Sequence, residues 1–132
     1  MSPALWAEPI EALAPRIRGK ALSPVELTQA CLDRIGQVDD RLLSFICFAP
    51  DALEQARRAE AEIARGDWRG PLHGIPLGIK DNYLTADMPT TAGTTAPGIA
   101  FPRRDAAAVT RLRRAGAVLI GKTRTHEFGG AT

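Results

Sequence analysis

The chain has 132 residues, 45% of them apolar and 24% charged, which places it with water-soluble globular chains and allows one domain with a hydrophobic core. Seventeen basic residues against fifteen acidic ones leave a net charge of +2, too small to indicate direct nucleic-acid binding. No apolar run reaches membrane-spanning length, and a start bearing Glu8 and Glu11 without a basic leader does not resemble an export signal, so a cytoplasmic, membrane-free location is expected.

The first clear element is announced by Leu22-Ser-Pro-Val-Glu-Leu27. Ser23 can cap a helix, Pro24 suits its first position, Glu26 can return the capping bond, and Leu22 and Leu27 form the matching hydrophobic staple. Val25, Thr28, Leu32 and Ile35 then mark one face of a helix expected to end at Gly36. Leu42 to Phe48 is rich in aromatic and branched residues and reads as a strand. Asp51 to Arg65, with its Ala, Glu and Arg, predicts a surface helix stopped by Gly66. Cys31 and Cys47 lie within apolar patterns and lack metal-ligand or C-x-x-C spacing, so both are expected as reduced, partly buried thiols.

After a turn region from Gly66 to Gly74 comes Ile75-Pro-Leu-Gly-Ile79. Pro76 and Gly78 make this an unusual strand, one that bends or lies near a sheet edge. It delivers Lys80 to a strand end beside a polar loop. A lysine partly removed from water holds its proton less tightly and can act as a base, whereas the adjacent Asp81 would favour the charged ammonium. By pattern alone an ordinary surface lysine is the default. The following twenty residues, including Pro89, Thr90, Thr91, Gly93, Thr94, Thr95, Pro97 and Gly98, predict a long ordered loop whose threonines form turns rather than act as nucleophiles. His73, in a tight turn, and His126, beside Glu127, lack the spacing of paired metal ligands and are expected to be structural.

Asp105 to Ala115 reads as a helix with Asp105 as its N-cap and Gly116 just past its last turn. Arg103, Arg104, Arg111, Arg113, Arg114 and Arg124 gather here as a solvated face, with no aromatic platform for bases. Gly116 to Thr123, GAVLIGKT, matches the pattern of a phosphate-binding loop. Such a loop needs a strand before it and a helix after it, and here the order is reversed. Ala117-Val-Leu-Ile120 is instead a short apolar run suited to a strand buried on both faces, so Lys122 is not expected to bind a nucleotide. Alternating helices and strands give an α/β sheet.

Taken in order, Gly70-Pro-Leu-His-Gly-Ile-Pro-Leu-Gly-Ile-Lys80-Asp-Asn, Met88-Pro-Thr-Thr-Ala-Gly93, the run from Asp105 through Thr123, and His126-Glu-Phe128 closely resemble the first portion of amidase-signature enzymes. The likeness extends from about residue 20 onward, and the ordered series is far more specific than any one motif. It implies the N-terminal portion of an α/β/α fold with a mixed central sheet, and residues 1–132 as part of a single amidase domain, ending before the Gly/Ser-rich segment. It implies hydrolysis of a small-molecule amide by a serine nucleophile, a second serine in a cis peptide, and a lysine that matches Lys80, with no metal or organic cofactor. Ser2, Ser23 and Ser44 all precede Lys80 and match neither serine, so these residues alone are expected to be inactive. The A subunit of a tRNA-dependent amidotransferase, working with partner subunits, is the alternative. Where this chain has His126 those subunits commonly carry Asp, which favours a general amidase, with a homo-oligomer also possible. A third reading is a non-catalytic interaction module, since a partial sheet exposes strand edges and apolar faces.

Overall fold

The computed structural model describes residues 4–95 and 103–130. Four α-helices, α1 (Ile10–Arg18), α2 (Pro24–Leu42), α3 (Ala52–Ala64) and α4 (Ala107–Arg114), alternate with strands β1 (Phe45–Phe48), β2 (Pro76–Lys80) and β3 (Val118–Thr123). The sheet order is β1-β3-β2, with β1 antiparallel and β2 parallel to β3. The central sheet is therefore mixed, as the family resemblance implies.

Local chemistry explains most element boundaries. Ser23 accepts hydrogen bonds from the Val25 and Glu26 amides at 3.0 and 3.3 Å, Pro24 opens α2, and Leu22 and Leu27 are buried in one apolar cluster. The Ser23 hydroxyl donates to Glu60 of α3, so the cap also fastens α2 to its neighbour. Gly36 does not end α2, which continues to Leu42. A glycine costs a helix only ~1 kcal/mol relative to alanine, less than the cost of ending it early, and Ile35 and Val38 on either side of it remain half-buried. The true stop comes at Leu43, whose φ is +52°, where the Asp39 carboxylate accepts the Ser44 and Phe45 amides at 2.7 and 3.3 Å. The strand expected from Leu42 is thereby shortened to begin at Phe45. Gly36 is exposed, and a β-carbon there would meet nothing within 4 Å. Gly36→Ala is accordingly expected to raise stability by about 0.5–1 kcal/mol, read as an increased denaturant midpoint at unchanged slope.

Helix α1, absent from the sequence expectations, starts after Pro9, buries Ala14, and packs Leu13 and Ile17 against Leu22, Leu27, Ile63 and Ile75. The second cluster is built on β3, whose Val118, Leu119 and Ile120 pack with Ala52 and Ala56 of α3, Val109 of α4, Ile79 and Met88. Strand β3 is longer than expected, running through Lys122 to Thr123, and is buried from Val118 to Lys122. At its start the Gln55 side chain substitutes for a neighbouring strand: Oε1 accepts the Leu119 amide at 3.0 Å and Nε2 donates to the Leu119 carbonyl at 3.3 Å. A buried amide and carbonyl that would otherwise lack partners are thus satisfied. Strand β2 lies at the edge of the described sheet, with a register shift between Leu77 and Gly78, as Pro76 and Gly78 predict.

The glycines of GAVLIGKT are explained by this packing. Gly116 ends α4 at φ +82°, and a β-carbon on it would lie 2.3 Å from the His73 ring; one on Gly121 would lie 2.5 Å from the Cys47 carbonyl of β1. The segment is a helix stop followed by the central strand, as expected from its order.

Asp105 is not the α4 cap, which falls at Ala106. Its carboxylate accepts the Ala86 amide at 2.7 Å and pairs with Arg113 at 2.9 Å, tying the long loop to α4. Arg113 also pairs with Asp87, and Arg124 donates to the Leu43 carbonyl at 2.7 Å, so these two arginines of the basic group serve the fold. Cys31 and Cys47 are free and half-buried, and burial pushes both thiols above the ordinary cysteine value. Among the described residues, no helix is long and apolar enough to cross a membrane.

Candidate active site

The three motif-bearing segments, which lie far apart in sequence, converge at the end of β2. Lys80 is the last residue of that strand, and its carbonyl accepts the Tyr83 amide at 3.0 Å, closing a turn. The next residue is gripped on both sides by backbone: the Asp81 amide donates to the Thr123 carbonyl at 2.9 Å, and the Asp81 carbonyl accepts the Ala92 amide at 2.9 Å. The Ala92 carbonyl in turn accepts the Phe128 amide at 2.6 Å. Gly129, at φ +76°, approaches so closely that a β-carbon there would be 2.8 Å from Asn82 Nδ2 and 3.8 Å from the Lys80 ammonium nitrogen. Lys80 is thus held beside residues 126–130, and it borders a cleft of about 270 Å³ shared with Tyr83, Ala108, Val109 and Leu112.

Lys80 is exposed among the described residues, so the desolvation expected of a base is not supplied by them. The Asp81 carboxylate, which the sequence placed in competition for the Lys80 charge, is committed elsewhere. Its side chain is fully buried and pairs with Lys122, also fully buried, at 3.1 Å. Both carboxylate oxygens accept the Thr91 amide at 3.2 Å, and the Thr91 hydroxyl donates to Oδ2. The Lys122 ammonium also donates to Thr90 Oγ1 at 2.8 Å and to the Pro89 carbonyl at 3.1 Å, and the Thr90 hydroxyl donates to the Tyr83 carbonyl at 3.3 Å. Each buried charge therefore has an opposite charge and further hydrogen bonds, the condition for keeping ions out of water.

From sequence, Asp81 is set against Lys80, and Lys122 is only a residue that binds no nucleotide; that the two form a buried pair is not foreseen there. A signal was present: a lysine directly continuing the apolar run of a central strand needs a buried anion. Thr91 opens a turn, as expected, accepting the Gly93 amide at its hydroxyl and the Thr94 amide at its carbonyl, both at 3.1 Å, whereas Thr90 is a bridge residue and not a turn former; the hydroxyls of both complete this network. Of the remaining loop residues, Pro97 and Gly98 lie outside the described residues, while Met88 is buried and bridges to Thr85.

His73 has the structural role expected of it. Fully buried, it accepts the Arg69 amide at Nδ1 at 3.2 Å, which leaves the proton on Nε2 to be donated to Glu62 at 2.9 Å. Burial pushes its proton affinity below the ordinary histidine value of 6.5, with Glu62 acting in the opposite direction. The unfolded chain therefore takes up the proton first. The stabilisation is complete above about pH 6.5 and is lost as pH falls from there through the folded-state value. Thermal midpoints measured across that window are expected to fall on acidification, and His73→Gln to flatten the slope; equal slopes would refute this role. His126 is exposed and precedes a short 3₁₀ turn, Glu127–Gly129.

Comparison with known proteins gives this arrangement its family. The Amidase family model matches residues 26–132, and the chain belongs to the amidase family, the amidase-signature enzymes. An amidase of Pseudomonas putida is 39% identical over 116 residues, covering 88% of this chain and 25% of its own length. The A subunit of the glutamyl-tRNA(Gln) amidotransferase of Thermobifida fusca is 49% identical over 108 residues, covering 80% of this chain and 22% of its own. The native peptide amidase of Stenotrophomonas maltophilia superposes with a TM-score of 0.88 at 44% identity, over 96% of this chain and 26% of that one. The chain spans about a quarter of the length of the relatives it matches.

Proposed function

We propose that the protein carrying this chain hydrolyses carboxylic amides by Ser/cis-Ser/Lys chemistry, with Lys80 as the general base. The observation that carries the reading is the convergence of residues 80–82, 90–93 and 126–130 at the end of β2, where Gly129 lies against the Lys80 ammonium. In this mechanism neutral Lys80 accepts a proton passed through the bridging serine from the nucleophilic serine, whose oxygen attacks the amide carbonyl. Collapse of the tetrahedral adduct breaks the C–N bond, and Lys80 returns the proton, through the same bridge, to the departing amine. Water then cleaves the acyl-enzyme by the reverse relay. Backbone amides of a glycine-rich turn stabilise the oxyanion.

Both serines would come from outside residues 1–132, because Ser23 caps α2, Ser44 lies at the start of β1, and Ser2, outside the described residues, precedes Lys80 like the other two. Residues 1–132 alone are accordingly inactive in this reading, and the site is cytoplasmic. The test is incubation of the whole protein with small amides and hydroxylamine. Ammonia release together with a hydroxamate derived from the acyl-enzyme supports the reading; neither product from a broad panel of amides would refute it.

The second reading, the A subunit of an amidotransferase, is favoured by the 49% identity to the Thermobifida fusca protein. Purification from native cells separates the two: stable partner subunits and glutamine as the preferred amide favour the second, while a free or homo-oligomeric enzyme favours the first.

A further inference from the structure

We propose that Lys122 is a positioning residue for Lys80, holding the Asp81 carboxylate in a buried pair so that it cannot serve as the counter-charge of the Lys80 ammonium. The inference rests on Lys80 being the base. Asp81 is the residue next to Lys80, yet its side chain is fully buried on Lys122 at 3.1 Å while Lys80 is exposed. Besides tying residues 89–91 to the strand ends, Lys122 places a compensating cation on the carboxylate next in sequence to Lys80. A base must lose its proton, and a free carboxylate one residue away would oppose that loss. Lys122 cancels the carboxylate locally, and Pro89 and Thr90 fix the ammonium in place.

Removing the Lys122 charge leaves Asp81 still accepting the Thr91 amide and hydroxyl, which favour its ionised form. The nearest remaining cation in sequence is Lys80. An unbalanced carboxylate on the adjacent residue favours the charged ammonium, by about one pH unit at the low end of the range typical of a neighbouring opposite charge. Cys47 lies within reach of the charges of Lys122, Asp81 and Asp87; Tyr83 lines the cleft with Lys80, and His126 and Glu127 belong to the segment that carries Gly129. None of them changes in the variants used.

The experiment compares the whole wild-type protein with Lys122→Met and with the Asp81→Asn/Lys122→Met double variant. The rate of Lys80 acetylation by acetic anhydride, followed by mass spectrometry across pH, reports its titration without requiring turnover; the pH–rate profile of amide hydrolysis is recorded in parallel. Lys122→Met is expected to move the Lys80 midpoint up by about one unit and to slow hydrolysis at neutral pH about tenfold, with recovery at higher pH. The double variant, in which no net charge is left behind, is expected to return both close to wild type. Where Lys122→Met does not fold, Lys122→Gln replaces it, since it keeps a donor for Pro89 and Thr90. A midpoint that stays put in the single variants, or one displaced equally in the double variant, would overturn the proposal. If hydrolysis proves indifferent to Lys80→Ala, the proposed function falls, and the labelling data still decide whether Lys122 governs the charge at Lys80.

Discussion

Lys80→Ala in the whole protein is expected to lower kcat for amide hydrolysis by about 10²–10⁴-fold, the contribution typical of a positioned general base. KM should change far less, because in the proposed mechanism the ammonium handles the proton rather than holding the substrate. Folding should be nearly untouched: the side chain is exposed, and surface substitutions of this kind usually fall within about 0.5 kcal/mol. A steady-state assay paired with a denaturant melt therefore separates chemistry from structure. A variant that keeps more than a tenth of wild-type kcat with unchanged stability would remove Lys80 from the mechanism. A variant that unfolds would contradict the exposed placement of the side chain.

For Lys122 the balance is the reverse, with stability carrying the larger effect. Lys122→Met is expected to cost about 3–5 kcal/mol, because it strands the buried Asp81 carboxylate rather than merely deleting a contact. Removing both charges together, as Asp81→Asn/Lys122→Met, is expected to cost clearly less than the single change, since the desolvation penalty of the pair disappears with its attraction. Equilibrium unfolding of wild type, both single variants and the double variant gives the coupling directly. Equal, additive losses would mean that the 3.1 Å pair contributes nothing beyond its two side chains. The same substitution is expected to leave nucleotide affinity at nothing measurable, since the lysine of GAVLIGKT points into the core and not toward a ligand.

Several features were legible in the sequence because their causes lie within a few residues. Ser23 with Pro24, Leu22 and Leu27 set the start of α2; Gly116 after the arginines set the end of α4; the apolar run from Ala117 set a buried strand. The Pro76/Gly78 pair marked an edge strand, and the ordered motifs sufficed to identify the family. Each depends on capping, dihedral freedom or hydrophobic pattern, which act locally and survive without knowledge of the partner.

Where the local signal was ambiguous, packing overruled it. Gly36 is a fair helix stop by itself, but the helix continues because its buried face continues. Asp105 is a good N-cap by type, yet its carboxylate is drawn to Ala86 and Arg113. Helix α1 shows only a sparse apolar pattern interrupted by Pro15, and it is held by burial against α2, α3 and the residue preceding β2.

What the sequence determined about this protein is therefore its family, its α/β alternation and the residue at the end of β2 that carries the proposed chemistry. Only the tertiary structure decided the company that Lys80 keeps: Asp81 turned away to Lys122, Thr90 and Thr91 drawn into the same buried network, and Gly129 laid against the lysine. Those relations follow from the parallel register of β2 on β3 and from the return of the long loop over the strand ends. The free energy of a buried charge depends on what surrounds it in space, and no spacing along the chain contains that information.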